Sequence, residues 1–331
     1  MEIRARNVND ALNSALWWLK VAGVEETSRN GTVLAAPEPV TITYTQPLER
    51  VLWWPERDAN PFFHLLESLW MLAGRNDVAF PATYAKQIAQ YSDNGTHLNG
   101  AYGYRWSTWF KHDQLDWVVN ELTQHRNTRR AVLGMWDPTH DPKTVHAGGK
   151  DVPCNTHIYF DIRDGALNMT VCNRSNDLIW GCCGANAVHF TFLLEYVAAM
   201  VGVPVGAYRQ FTNNLHLYHS VPNAGIYLRP PTETPEDLYL CGSARPAKLM
   251  SADSATWHAD LRKFFDDCDH QVGTAGAKYV DPFFMHTVRP LMWAHAAYKT
   301  HDMGAAMHWV GDCAATDWAL ACTQWLQRRA K

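Results

Sequence analysis

The stretch CNRSNDLIWGCCGANAVHFTFLLEYVAAMV, residues 172–201, decides how this chain is read. Asn186 to Val201 is the most strongly apolar helix in the sequence. The longer apolar run from Ala185 to Val205 still contains His189 and Glu195, so it reads as a helix at the centre of a core and not as a membrane span. The first half, CNRSND, carries Arg174, a cation that can fork onto an anion and also favour the ionised form of a nearby thiol. A core helix preceded by a charged turn is the skeleton of a binding site.

Working outward, Val40 to Tyr44, Ala131 to Trp136, His157 to Ile162 and Leu167 to Cys172 read as strands, the last two joined through Arg163, Asp164, Gly165 and Ala166 as a hairpin. Residues 7–21 and 61–74 carry apolar residues at helical spacing, the second with Pro61 at its start and Gly74 at its end. From about Thr232 the chain looks largely helical, and a kink is expected at Pro290 within HTVRPLMWAHAAYKTHD. The fold class is α/β (α+β), a mixed sheet flanked by helices with a helical C-terminal extension. With no low-complexity linker and no repeat, 1–331 is expected to be a single domain, of which 232–331 is the helical part.

Composition bounds the function. Of 331 residues, 47% are hydrophobic, which excludes disorder; a net charge of −4 gives no general reason to bind a nucleic-acid polymer, while leaving room for one small anion. The eight cysteines lack the density and spacing of a disulfide framework, and MEIRARNVND lacks the apolar run of a signal peptide. A cytoplasmic setting is expected, the host's if the protein is viral, with no membrane.

Cys154, in DVPCNTHIYF, follows a proline and directly precedes a strand, which is expected to hold it in a fixed exposed orientation where it can act as a nucleophile. The other seven cysteines read as buried filler. Arg174 and the pair Arg129 and Arg130 in HRNTRRAVL are candidates for a cationic setting that lowers its pKa, although an adjacent arginine pair taken alone is more often a solvated turn. Glu67 lies within an apolar helix, where an unpaired carboxylate is costly and an ion pair with a buried arginine is the plain structural reading. His216 and His219 have a metal-like i, i+3 spacing, but no further ligands accompany them, so no metal is expected.

HLLESLWML, AYGYRW, the PC pair, CNRSND, GANAVHF and NNLHLYH, in that order from about Asn7 to Ser220, together resemble thymidylate synthase and its pyrimidine-nucleotide hydroxymethylase relatives. The final hundred residues look more like the tails of phage and antibiotic-pathway hydroxymethylases. The resemblance implies a thymidylate synthase fold and a homodimer. It also implies transfer of a one-carbon unit from 5,10-methylenetetrahydrofolate to C5 of a pyrimidine deoxynucleoside monophosphate, dUMP or dCMP. By the same resemblance Cys154 is the thiolate that adds to C6 and makes C5 nucleophilic. Arg29, Arg129, Arg130 and Arg174 hold the phosphate, with Arg129 and Arg130 acting from the partner subunit, and Ser175 contacts phosphate and ribose. Glu67 relays protons, Tyr102 helps to remove the C5 proton, Asp177 orients the pterin, and His216 and Tyr218 hold the 3′ hydroxyl. Asn186 reads the base, leaning towards uracil over cytosine.

Three departures from the thymidylate synthase pattern bear on the product. Ile88 and Tyr91 stand where two tryptophans flank the folate, the usual C terminus is missing, and Asn155 replaces the histidine after the cysteine. If they leave the methylene intermediate open to water, hydroxymethyl and not methyl is the outcome. The alternatives are a true methyltransferase making dTMP or 5-methyl-dCMP, a catalytically silent nucleotide-binding protein, and a thiol hydrolase pairing Cys154 with His189 or His216.

Overall fold

The computed structural model describes residues 1–220, 235–270 and 278–330; Thr232, the expected start of the helical part, lies outside them. After β1 (Glu2–Ala5), Asn7 accepts hydrogen bonds from the amides of Asn9 and Asp10 and so begins α1 (Val8–Ala22), which buries Val8, Leu12, Ala15, Leu16 and Leu19 along one face. Strands β2 (Val24–Ser28) and β3 (Gly31–Ala35) form a hairpin, and β4 spans Val40–Tyr44, as alternation predicts. Helix α2 (Pro61–Leu72) is capped by Asn60 and stops just before Gly74, whose φ of 67° suits glycine. After α3 (Ala79–Tyr84) comes α4 (Tyr102–Tyr104), which runs into a π turn (Arg105–Trp109). A Cβ at Gly103 would lie 1.7 Å from the Met71 carbonyl oxygen, so glycine is what lets the Tyr102 segment press against α2. Arg105 then forks onto Asp141 at 2.8 and 2.7 Å, both side chains fully buried.

The middle of the chain continues with α5 (Gln114–Gln124), β5 (Val132–Gly134) and α6 (Asp141–His146), followed by β6 (Asn155–Arg163), β7 (Ala166–Asn173) and β8 (Asn176–Asp177). The β6–β7 turn tightens to Asp164 and Gly165, both with positive φ, so the two strands extend further than alternation alone suggests. β5 is shorter than its apolar run, three residues instead of six. Along β7, Leu167, Met169, Val171 and Asn173 are buried in strict alternation. Then come α7 (Asn186–Val201), with the predicted boundaries, β9 (Val205–Thr212) and β10 (Leu215–Tyr218). The larger sheet is mixed, in the order β1-β4-β9-β7-β6-β5, and the smaller has the order β2-β3-β10-β8.

The C-terminal part contributes α8 (Ser254–Asp269), α9 (Arg289–Lys299), α10 (Met303–Gly311) and α11 (Thr316–Arg329). In place of a bare kink at Pro290, a π turn (Phe284–Val288) feeds α9; the His286 carbonyl, which a helical amide at 290 would occupy, accepts the Ala314 amide at 2.8 Å. Polar ties hold this part to the core. Arg50 pairs with Glu195 of α7, which also accepts the Leu249 amide at 2.8 Å, and the Tyr239 hydroxyl accepts the Val51 amide at 3.2 Å. Both members of the Arg50–Glu195 pair are buried, so Glu195→Ala should leave an uncompensated cation and cost about 3–5 kcal/mol in denaturant unfolding. A loss below about 1 kcal/mol would show that the pair is not what secures the tail.

Candidate active site

Cys154 sits at the mouth of the larger sheet, immediately before β6, and Arg174 follows β7 beside it. The Arg174 amide donates to the Cys154 carbonyl at 2.9 Å, its Nε to the Pro153 carbonyl and its Nη2 to the Val152 carbonyl, each at 3.0 Å, and Nη2 lies 3.8 Å from the Cys154 Sγ. One arginine therefore fixes the Pro-Cys turn as well as facing the thiol. The expected lowering of the thiol pKa is not what the chain achieves. Burial pushes Cys154 up, Arg174 and Arg29 pull it down, Asp151 adds to the rise, and burial prevails because a thiolate loses more solvation than these cations return.

Tyr102 stacks on Phe190 of α7 with ring centroids 5.4 Å apart, and its hydroxyl, bonded by the Asn155 amide, is held above the usual phenol range, chiefly by burial. It stays protonated at neutral pH. Glu67 meets a histidine and not an arginine: its Oε2 lies 2.9 Å from His189 Nε2, both side chains nearly sealed, yet neither atom completes a hydrogen bond within the protein. The α7 backbone supplies this partner because His189 is three residues beyond Asn186, on the turn that faces α2. Asn155 Oδ1 and Asn173 Nδ2, which flank the thiol's turn, are also buried without partners. Buried polar atoms left without a protein partner mark places for bound groups or water.

Asp177 begins the turn into α7. Its Oδ1 accepts the amides of Ile179 at 3.0 Å and Trp180 at 2.5 Å, while Oδ2 is buried without a partner; burial raises its pKa, opposed by His216 and Arg57. An N–H donor brought to Oδ2 would satisfy it, which fits the edge of a pterin. Ser175 is half-buried on the same turn. His216 pairs in register with Asp177 across the parallel β10–β8 ladder, bonds Asn214 Oδ1 at 2.8 Å, and meets Tyr218 edge-on at 5.0 Å. Asn186 donates from Nδ2 to Asn176 Oδ1 at 3.0 Å.

Arg29, on the exposed β2–β3 turn, is near enough to bear on the thiol. Arg129 and Arg130 are not. They are exposed just before β5, where Ala131 accepts the Phe160 amide, so about five residues of β6, on the order of 20 Å, separate them from Cys154. Arg130 instead pairs with Glu121 at 3.0 Å. Ile88 and Tyr91 lie on a 3₁₀ turn (Lys86–Tyr91), Ile88 half-buried against the core and Tyr91 exposed. Sequence reasoning missed Arg57, which donates to the Ile179 carbonyl at 3.0 Å and lies 4.1 Å over the Trp180 ring, and Gln210, a lone amide in an otherwise ordinary strand. Among the described residues no group of three or more His, Cys, Asp or Glu side chains could hold a metal ion.

A mixed sheet that ends in a fixed cysteine, beside an arginine-bearing turn and a buried helix, defines a thymidylate synthase-like transferase. The chain belongs to the thymidylate synthase family of folate-dependent transferases, whose model matches residues 58–236. It is 48% identical, over 99% of its length and 94% of the relative's, to a deoxyuridylate hydroxymethyltransferase of Pseudomonas phage M6. Identity is 41% to a protein of the same description from Bacillus phage SP01, over 54% of this chain and 49% of the relative. A thymidylate synthase of Symbiobacterium thermophilum is 30% identical over 47% of this chain and 58% of the relative.

Because burial already raises the Cys154 thiol and Arg174 opposes that rise, Arg174→Ala should move the pH profile of Cys154 alkylation further towards alkali. Mapping the labelled peptide across a pH series reads this directly; an unmoved profile would mean that Arg174 acts on the turn alone.

Proposed function

We propose that this protein transfers a one-carbon unit from 5,10-methylenetetrahydrofolate to C5 of deoxyuridine monophosphate and, with water, releases 5-hydroxymethyldeoxyuridine monophosphate and tetrahydrofolate. The observation that carries the reading is near-full-length similarity, tail included, to a phage protein described as a deoxyuridylate hydroxymethyltransferase, while the thymidylate synthase match covers less than half of the chain. Folate would supply the one-carbon unit at a site bounded by Asp177, Ile88 and Tyr91.

The residues divide the work as follows. Arg174, Arg29 and Ser175 bind the phosphate, joined by Arg129 and Arg130 of a second subunit. Their separation from Cys154 within one chain supports that trans role. An arriving phosphate adds negative charge and does not ionise the thiol; two further arginines would pull its pKa down, against the burial that raises it. The Cys154 thiolate adds to C6, and the electron pair moves to C5, which attacks the one-carbon unit. Tyr102, protonated and anchored by the Asn155 amide, steers the C5 proton away. Loss of the C5 proton would release tetrahydrofolate from the transferred carbon and leave an exocyclic methylene; Glu67 and His189 form a carboxylate–imidazole pair that passes protons through water, and water adds to that methylene before Cys154 departs from C6. His216 and Tyr218 hold the 3′ hydroxyl, and Asn186 the base. Residues 1–331 act as one domain, with 232–331 the helical part, supported by the apolar core they share. The phage origin of its relatives supports the host cytoplasm as its setting.

Incubating the enzyme with dUMP and methylenetetrahydrofolate should yield a nucleotide heavier by CH₂O, with no stoichiometric growth of dihydrofolate absorbance; a gain of CH₂ with dihydrofolate would establish methylation instead. Cys154→Ala should abolish turnover and keep nucleotide binding. For the trans arginines, Cys154→Ala and Arg130→Ala proteins, each inactive, should regain about a quarter of wild-type activity after subunit exchange, since half of the dimers are hybrids with one intact site. No recovery would place Arg130 in its own chain's site or outside any site.

A further inference from the structure

Asn186 does not stand alone. Its Nδ2 donates to Asn176 Oδ1 at 3.0 Å, Asn176 Nδ2 donates to Gln210 Oε1 at 2.9 Å, and Gln210 Nε2 donates to the Cys182 carbonyl at 3.0 Å. All four residues are buried, Gln210 and Cys182 completely. An isolated asparagine can turn its amide over at little cost and exchange donor for acceptor. Here it cannot. Turning Asn186 would set its oxygen against Asn176 Oδ1; turning Asn176 as well would set oxygen against Gln210 Oε1; turning all three would set Gln210 Oε1 against the Cys182 carbonyl. Gln210 Nε2 also lies 3.3 Å from the Cys182 Sγ, whose S–H is only a weak donor to a reversed amide; the backbone carbonyl has no donor form, so the chain ends on a group that cannot reverse, and a buried pair of facing oxygens is costly. Space for the Asn176–Asn186 junction comes from Gly181, where a Cβ would lie 2.2 Å from Asn176 Oδ1 and 3.3 Å from Asn186 Nδ2.

Uracil and cytosine differ in this one respect. Uracil offers an acceptor at position 4 and a donor at N3, cytosine the reverse, so with the base fixed through its sugar and C6 they require opposite orientations of a facing amide. Resting on the reading above that Asn186 meets the base of dUMP, we propose that Gln210 and Asn176 are specificity-determining positioning residues: they transmit the polarity of the Cys182 carbonyl to Asn186 and so make the site accept uracil and refuse cytosine. Neither residue touches substrate. The discrimination expected from one correctly polarised pair is on the order of tenfold to a hundredfold.

The experiment compares equilibrium binding of dUMP and dCMP, which does not depend on turnover. The wild-type protein should prefer dUMP by at least about tenfold, and Gln210→Met, which keeps the bulk of the side chain but removes its amide hydrogen bonds, should bring the two affinities together mainly by improving dCMP. Gly181→Ala, which changes no amide but displaces Asn176 Oδ1 from the junction, should do the same. A general loss of packing would weaken both nucleotides alike and leave the ratio standing. A preserved ratio in either folded variant, or a wild-type protein indifferent to the base, overturns the proposal. Asn186→Asp separates the two levels of the argument: if it leaves the ratio unchanged, Asn186 does not read the base and the underlying assignment fails, whereas a changed ratio there with an unchanged one in Gln210→Met sinks only the amide chain.

Discussion

The structure depends on the burial of α7. Helix Asn186–Val201 is covered on nearly all sides, so every polar side chain along it must find a partner inside the protein or carry an unmet desolvation cost. Each partner proves to be a different part of the molecule. Asn186 reaches the smaller sheet through Asn176, His189 faces Glu67 of α2, Thr191 returns to the helix's own carbonyls, and Glu195 takes Arg50 and the Leu249 amide. A single apolar helix thereby organises the Asn186 amide, the Glu67–His189 pair and the anchor of the C-terminal part.

The same burial sets the chemistry. The Cys154 thiol, the Tyr102 hydroxyl and Asp177 are all displaced towards their neutral forms, with burial the first cause in each case. Such a site is quiet until charge and hydrogen-bond donors are brought in, and the unpartnered atoms of Glu67, Asn155, Asn173 and Asp177 show where they would be received. The C-terminal part shields one flank of this region. Trp325 packs edge-on against Phe62 at the start of α2, and Arg328 and Arg329 grip Asp58 just before it, so the helix that carries Glu67 is fixed from outside as well as from within.

Much of this was legible along the chain, for reasons that are local. Apolar periodicity gave α1 and α7 nearly to the residue, Asp164-Gly165 announced a hairpin, and a cysteine after proline before a strand was a sound nucleophile candidate because its setting is sequential. What failed was non-local. The partner of Glu67 is His189, 122 positions away, and not an arginine as the plain structural alternative had it, because α2 and α7 pack together and no spacing in either helix encodes which side chain they share. The thiol pKa was expected to fall because cations could be read from the sequence, while the burial that outweighs them could not. The length of β6 separates Arg129 and Arg130 from Cys154 within one chain, a distance that no list of basic residues shows and that is compatible with the partner-subunit role expected of them.

By itself, then, the sequence determined the elements, their order and the residue types available for nucleophilic and phosphate-binding chemistry, since hydrophobic period and turn residues act over a few positions. Only the tertiary structure decided protonation and orientation: which carboxylate meets which base, which thiol is desolvated, and which way an amide faces. Those depend on the dielectric and on hydrogen-bond polarity handed from one buried group to the next, and Gln210, unremarkable in its strand, acquires its meaning only from the Cys182 carbonyl 28 residues away.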